Sequence, residues 1–430
     1  MSEAMYSEPA RSVPVVGEYD VVVCGGGMAG IGAACAAARA GSRTLLVERL
    51  EILGGLGTSG GVGNFCYGDD TLPAGHGRVF DDIWAGLAAY GAIGEVNGWR
   101  VGKTPPFFNH TFDHHVLALV LQELAERDGV NLLLATDVIG AEVEDGVVRA
   151  VLVHNRSLTQ RVAARVVIDA TGDGILSRHA GAGVLPPDGA HPQSIPPSHM
   201  LFVQPTAHPR PQVVKHREPG APPPAYSVWQ EPERIGLKMW WPDGGFDTST
   251  GRGYSDAGRA FRRRIPEFVR HFQETESGRS TVFAGSAAML GLRDSVRVEG
   301  EYVLTADDLR IGRRFPDAIG LGCFPLDSAA LAKEVMPPYQ IPYGCLLVKE
   351  MTNLLVAGRC FSATRVALSS TRIMATGCLL GQAAGFAAAL ASRQGIPLRT
   401  VDPAAIRQAL LDSSPEDEVL HHRLDHSGVS

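Results

Sequence analysis

The seven cysteines include no C-x-x-C pair and no metal-ligand spacing. That absence excludes dithiol redox chemistry and a zinc site, and it leaves reduced thiols of the kind expected in a cytoplasmic chain. Positive charge is also scarce, with 39 Lys and Arg against 46 Asp and Glu for a formal net charge of -7. Such a balance argues against nucleic acid or an anionic membrane as a partner. The run Arg262, Arg263, Arg264 is short and reads as a solvated helix face. Residues 1–18 lack a charged stretch followed by an apolar one and lack a twin arginine, so a flexible tail is expected there. No repeat of solenoid or propeller period is present. The segment from Ile373 to Ala391 imitates a membrane span in having no charge. It is poor in Leu, Ile and Phe, and Gly377, Gly381 and Gly385 form a smooth i, i+4, i+8 stripe, which predicts a buried helix of a soluble protein.

Glycine is what the chain has in excess, at 50 of 430 residues against a usual share of about 7%. Its most informative use is in YDVVVCGGGMAGIGAACAAARAGSRTLLVE, from Tyr19 to Glu48. Val21, Val22 and Val23 have the pattern of a parallel strand buried on both faces. Gly25, Gly27 and Gly30 follow with G-x-G-x-x-G spacing. The first allows a tight turn, the second lets a pyrophosphate approach the backbone, and the third lets the next helix close onto the strand. A helix from Met28 to about Ala40 then points its unpaired N–H groups and positive dipole end at that pyrophosphate. Glu48 ends a second strand, where a carboxylate can accept hydrogen bonds from ribose hydroxyls.

Further along, Gly54, Gly55, Gly57, Gly60, Gly61 and Gly63 surround Thr58 and Ser59 in a loop able to wrap a long ligand. An amphipathic helix is expected over 111–128, a strand over 131–135, and a meander over 138–143 and 147–153 turning at Asp145-Gly146. Val166-Val167-Ile168 runs into Asp169-Ala170-Thr171-Gly172-Asp173-Gly174, a turn at the carboxyl end of a strand, where ligands sit in parallel sheets. From about Pro186 to Ala284 the chain becomes proline-rich and loses periodicity, the signature of an inserted lobe. A strand at 353–357 precedes Gly358-Arg359-Cys360-Phe361-Ser362, and the residues from about Ser413 read as a polar tail.

Five ordered motifs carry a resemblance to a known family: VVVCGGGMAGIGAA with Glu48, GGLGTSGGVG (54–63), VVIDATGDG (166–174), GLRDSVRVEGEYVLTADDL (291–309) and NLLVAGRCFSATRVALSSTRIMATGCLLGQAAG (353–385). Over most of residues 19–395 the chain resembles FAD-dependent oxidoreductases of the glutathione-reductase type, whose relatives include the fumarate reductase and succinate dehydrogenase flavoproteins. The resemblance implies an α/β fold: a Rossmann-like FAD-binding domain in two pieces, 19–185 and 345–395, with an inserted α+β substrate or cap lobe at 186–344 and tails at 1–18 and 413–430. It implies an extended FAD whose pyrophosphate lies on Gly25, Gly26, Gly27, Met28, Ala29 and Gly30, with its ribose on Glu48 beside Arg49 and its adenine near Val138. Gly55, Thr58, Ser59 and Gly60 would flank the cofactor. Ala170, Thr171, Gly172 and Asp173 would meet Gly358, Arg359 and Ser362 around the ribityl and pyrophosphate. Arg372, Met374 and Ala375 would bring a helix N-terminus to the flavin N1 and C2 carbonyl, where negative charge develops on reduction.

The activity so implied is oxidation or desaturation of a small organic metabolite by hydride transfer to flavin N5, with oxygen or another acceptor for reoxidation. Two alternatives stay open: a monooxygenase using NAD(P)H and oxygen, and an electron-transfer subunit without turnover of its own. No second strand-linked G-x-G-x-x-G is present, since Gly320 and Gly322 lack the third glycine and a following helix, so no dedicated nicotinamide domain is expected. Arg293 is the first catalytic candidate, able to hold a substrate carboxylate or to pair with Asp294, Glu299 or Glu301; Arg372 is the second, beside the isoalloxazine or purely structural. His76, His110, His114, His115, Cys66, Tyr302 and Tyr343 read as packing residues. The histidines at 421, 422 and 426 read as a solvated tail, and no metal is expected.

Overall fold

The computed structural model describes residues 12–68, 71–99, 107–186, 196–207, 226–230, 234–240, 246–293, 295–327 and 334–424. Strand β1 (Val15–Cys24) lies inside a seven-stranded sheet because Val21, Val22 and Val23 are apolar on both faces and none is exposed. Helix α1 (Met28–Arg39) returns the chain to strand β2 (Thr44–Val47), which pairs in parallel with β1 from Val21 opposite Thr44 to Cys24 opposite Val47. Asn131–Leu133 adds a parallel strand beyond β2. On the other side of β1 runs Leu158–Asp169, also parallel.

That last strand has two halves with different neighbours. Its first half pairs antiparallel with Val147–Asn155, which pairs in turn with Asp137–Glu144; this is the expected meander. Its end, Val167 to Asp169, pairs in parallel with Leu354–Val356. The buried part of the sheet is thus parallel and its outlying part antiparallel, a mixed α/β architecture consistent with a Rossmann-like FAD-binding fold. The helix expected from 111 begins at His114, because Asp113 caps it by accepting from the His115 and Val116 N–H groups while Phe107–Phe112 is a strand.

The long helix Met374–Gln394 lies against α1 through glycine. A Cβ added at Gly381 would stand 2.0 Å from the Ala29 carbonyl oxygen, one at Gly385 would stand 2.3 Å from that of Ala33, and one at Gly32 would stand 2.4 Å from that of Cys378. The Gly381–Ala29 and Gly385–Ala33 contacts advance together along both helices, so the two run parallel and their N-termini lie at the same end. Among the described residues this helix is the one long and apolar enough to cross a membrane by length and composition, and 83% of its most apolar window is buried inside the protein.

A second hydrophobic core forms under the antiparallel strands Ser198–Pro205, Tyr226–Gln230, Ile235–Trp240 and Thr281–Ser286. Helix Gly251–Gln273 covers one face of this sheet, where Leu201, Leu237 and Met239 meet Phe261, Phe268 and Phe272. The other face presents Met200 and Phe202 to Val62. This core ends at Leu292, so it is narrower than the expected 186–344: Leu304, Phe315, Ile319 and Ile341 belong to the main core. Two ends also differ from expectation. β1 already begins at Val15, within the expected N-terminal tail. The expected C-terminal tail is largely docked, as helix Glu418–Leu424 buries Leu420 and Leu424 while both Asp417 oxygens accept from the Gly75 N–H at 2.9 and 2.7 Å.

The dock has a pH consequence. Burial raises the Asp81 carboxyl to about 7, and the neighbouring Asp417 charge adds to this. A carboxyl whose folded pKa lies above its unfolded value gives most stability when protonated, and that stability is lost as pH rises from about 4 through 7. Asp81→Asn is therefore expected to stabilise the protein at pH 8 by about 1 kcal/mol after allowance for its partial exposure, seen as a higher melting temperature, and to change it little at pH 4. Equal melting shifts at both pH values would contradict this account.

Candidate active site

The three glycines of the turn divide their tasks as the spacing requires. Gly25 has φ +102, and a Cβ there would strike the Ala170 carbonyl at 2.5 Å. Gly30 closes α1 onto the turn, since a Cβ would lie 1.8 Å from the Gly25 oxygen. At Gly27 a Cβ would meet nothing within 4 Å, so the backbone there faces open space that a ligand can approach. Glu48 is buried beside this turn and accepts from the Gly26 N–H at 2.6 Å and the Leu50 N–H at 2.9 Å. Backbone bonds from the Ala135 N–H to the Leu50 carbonyl and from the Thr136 N–H to the Glu48 carbonyl tie the segment leading to Val138 to this strand end, while Arg49 is exposed.

The glycine loop at 54–61 folds against the turn rather than standing away from it. Gly54 N–H donates to the Gly26 carbonyl at 2.7 Å, and Gly55 lies over the Gly27 Cα. The Thr58 hydroxyl donates to Leu53 O at 2.6 Å, and the Ser59 carbonyl accepts from Ala288 and Met289, so both hold the loop in shape. A Cβ at Gly60 would lie 2.8 Å from Leu56, which makes this glycine a packing requirement.

At the second turn Asp169 is the organiser. Its carboxylate accepts from the backbone and hydroxyl of both Thr171 and Ser177, closing Ala170 to Asp173 into a rigid bend. Asp173 accepts from Ser295 and from Arg359 Nη2 at 3.2 Å, while the second terminal nitrogen of Arg359 is buried with no hydrogen-bond partner. The Ser362 hydroxyl, the next predicted ligand, is likewise buried without a partner.

Two helix N-termini complete the cradle. The helices that begin after Asp113, Thr250, Thr305, Thr364 and Asp402 each have a cap side chain that accepts from the first turn. α1 begins after Gly27 and the long helix after Ile373, and neither cap residue does so, as is also true of Gly77 before Arg78–Ala89 and Gly174 before Ile175–His179. Gly377 lies one turn before Gly381, level with the glycine turn by the parallel pairing, and a Cβ there would also meet nothing within 4 Å. Beside it the Thr376 hydroxyl is buried without a partner, and Met374 rests on Gly57. Donors without acceptors and two open glycines fit an extended, anionic dinucleotide with a flavin at one end.

Arg293 and Arg372 each lie near a third cation, Lys238, that no sequence motif singles out. Arg293 is buried, donates to Ser198 Oγ at 2.8 Å and Gly291 O at 3.0 Å, and stands 4.3 Å from the Trp240 ring centroid. Of its expected partners, Asp294 lies outside the described residues, Glu299 pairs with Lys349 at 2.7 Å, and Glu301 pairs with Arg399 at 3.4 Å. Arg372 pairs with Asp327 at 3.1 Å just before the long helix begins. Lys238, from the lobe sheet, is close enough to feel Arg293, Cys66, Arg372 and Asp327. No local motif marks Lys238; its neighbours come from four separate segments, and alternation with Trp240 along the strand is the only signal it leaves.

The other tempting side chains are held by packing. His76 is fully buried, its Nδ1 against the Ala74 carbonyl, and burial takes its pKa down to about 4. His110 lies edge-on to Trp84 and His114 stacks on Phe202. Tyr302 donates to Asp308 at 3.0 Å and Tyr343 to the Leu398 carbonyl at 3.0 Å. His421 meets the Ser414 carbonyl, and His426 lies outside the described residues.

A profile of the FAD dependent oxidoreductase family matches residues 20–410. Similar solved structures include a geranylgeranyl bacteriochlorophyll reductase-like protein of Thermoplasma acidophilum, 14% identical, with 95% of this chain and 99% of that one covered at a TM-score of 0.49. A flavin-dependent brominase is 15% identical, with 92% and 84% covered at 0.47. The anhydrotetracycline hydroxylase of Streptomyces rimosus is 15% identical, with 93% and 66% covered at 0.44.

Proposed function

Because this chain belongs to the FAD dependent oxidoreductase family, we propose that it oxidises or desaturates a small organic molecule, with bound FAD supplying the hydride acceptor at N5. The observation that carries this reading is the pair of parallel helices whose uncapped N-termini flank Gly27 and Gly377. The first-turn N–H groups of α1 serve the pyrophosphate, and those of Met374, Ala375 and Thr376 serve negative charge at the flavin pyrimidine edge. Glu48 keeps lone pairs for ribose hydroxyls, Val138 lies on the adenine side, and Arg359 and Ser362 offer unmet hydrogen-bonding atoms to the phosphates and ribityl chain. This division of labour supports the finer likeness to the glutathione-reductase type. The sheet face carrying Ser198, Lys238 and Trp240 is the substrate side.

Purified protein is expected to be yellow, to release FAD on denaturation, and to bleach anaerobically with its substrate. Stoichiometric NAD in place of flavin overturns the reading; substrate-dependent NAD(P)H consumption with oxygen converts it to a monooxygenase. Arg293→Met is expected to keep FAD and to slow flavin reduction, losing on the order of 2 to 4 kcal/mol of transition-state stabilisation if its guanidinium faces developing charge. A wild-type reduction rate at full occupancy removes Arg293 from the active site.

A further inference from the structure

The glycine loop at 54–63 touches the cradle on one side and the lobe on the other. Toward the cradle, the Gly54 N–H donates to Gly26 O at 2.7 Å, Gly55 lies over the Gly27 Cα, and Met374 rests on Gly57. Toward the lobe, the Ser59 carbonyl accepts from the Ala288 and Met289 N–H groups at 2.9 and 3.2 Å. Gly61, at φ +64, makes room for the Phe202 ring, which a Cβ there would meet at 2.6 Å. Val62 packs on Met200, Phe202 and Ala287 in a small cluster separate from both larger cores. Inside the loop the Gly60, Gly61 and Val62 N–H groups donate back to Gly55, Thr58 and Leu56, so its two sides are tied together. His114 stacks on Phe202 at 4.5 Å and Arg234 reaches Asp113 at 3.7 Å, which extends the seam to the helix that begins there. The lobe itself has its own core, and the chain enters and leaves it where Ser198 and Gly291 exchange two backbone bonds at 3.1 and 2.8 Å. A unit with its own core and one narrow neck is built to move as a body.

We propose that the lobe is a clasp for the cofactor: through Phe202 and the Ala288 and Met289 amides it holds the glycine loop against the cradle, so FAD binding and lobe docking strengthen one another. This rests on the reading of the cradle as the FAD site. Six of the ten residues from 54 to 63 are glycine, and glycine gives up more conformational freedom on ordering than any other residue. Whichever neighbour engages second finds the loop already ordered by the first. Such coupling is reciprocal, so the factor by which docking tightens FAD equals the factor by which FAD tightens docking. Phe202 is thereby a positioning residue, acting on the cofactor through Gly61 and Val62. The lobe face that carries Ser198 and Trp240 is then held most firmly to the cofactor domain in protein that has taken up FAD.

Amide exchange on the full chain with and without FAD, together with FAD titration of the apoprotein, tests this. Adding FAD is expected to slow exchange in the lobe strands 198–205 and 281–286 by about tenfold. Phe202→Ala is expected to weaken FAD binding by about tenfold and to remove most of that slowing, and Phe202→Leu to restore most of both. Val203→Ala is the control, since Val203 is the next residue along the strand and faces the lobe's own core. It is expected to lower the melting temperature and to leave FAD affinity unchanged. Loss of stability in Phe202→Ala at wild-type FAD affinity, or equal loss of affinity in Val203→Ala, reduces Phe202 to a packing residue and overturns the proposal. FAD that binds without slowing lobe exchange also overturns it and leaves the FAD reading standing, whereas wild-type protein that binds no FAD overturns both. The wild-type exchange comparison needs no variant, so it decides the matter even where Phe202→Ala does not fold.

Discussion

Gly27→Val is expected to fold and to be colourless, whereas Gly30→Val is expected not to fold. The two positions stand three residues apart in one motif, yet their surroundings are opposite. At Gly27 the backbone is extended, with φ -69 and ψ -178, a conformation open to any residue, and an added Cβ touches nothing. A valine there leaves the protein's own contacts intact and fills the space the pyrophosphate needs, so FAD affinity should fall by more than about 100-fold, or roughly 2.7 kcal/mol. At Gly30 the added carbon would overlap the Gly25 carbonyl oxygen at 1.8 Å, and neither α1 nor the turn can give way without parting. Visible absorbance, FAD released on denaturation and a thermal melt followed by circular dichroism separate the cases. A yellow Gly27→Val protein with full FAD would sink the assignment of that space to the cofactor.

The second large effect is expected along the long helix. Gly381→Ala places a Cβ 2.0 Å from the Ala29 carbonyl and must force two buried helices apart, at a cost of about 3 kcal/mol or more. Gly377→Ala, one turn earlier in the same stripe, meets nothing and should stabilise the apoprotein by about 1 kcal/mol, because alanine is the better helix former. The gain comes with weaker FAD binding, since the new methyl enters the space between the two N-termini. Denaturant melts of apoprotein and FAD titrations measure both. Equal destabilisation at the two positions would mean that the stripe serves helix packing alone.

The contrast within that stripe shows what sequence pattern carries and what it does not. The i, i+4, i+8 spacing marks one smooth face, but only tertiary contact distinguishes Gly381 and Gly385, pressed on α1, from Gly377, which reaches past the end of the interface. The β1, α1, β2 unit with Glu48 was legible for a local reason: a strand of valines, a glycine turn and an alanine-rich helix each announce themselves within a few residues. The docked C-terminal helix was hidden because it has a single turn or two, and its buried Leu420 and Leu424 sit among Glu, His and Arg. The extent of the second core was hidden because 298–348 leaves periodicity weak while contributing Leu304, Ile319 and Ile341 to the first core. Lys238 was illegible because its meaning is a juxtaposition of distant segments, and a lone lysine in a strand carries none of it.

The strand Leu158–Asp169 is shared between two neighbours, and this sets an order of events during synthesis. Its first half finds the meander as soon as the chain reaches residue 169, because Val147–Asn155 precedes it directly. Its end must wait for Leu354–Val356, and α1 must wait for Gly381 and Gly385. A ribosome that has made only the first half of the protein therefore presents an unpaired hydrophobic strand edge and an uncovered alanine face, both prone to association. Contacts so far apart in the chain also slow folding after release. The proposed FAD cradle comes into being only when the segment that carries Leu354–Val356 and the long helix returns to the N-terminal one, so cofactor uptake reports that the chain has been made at least through Gly385.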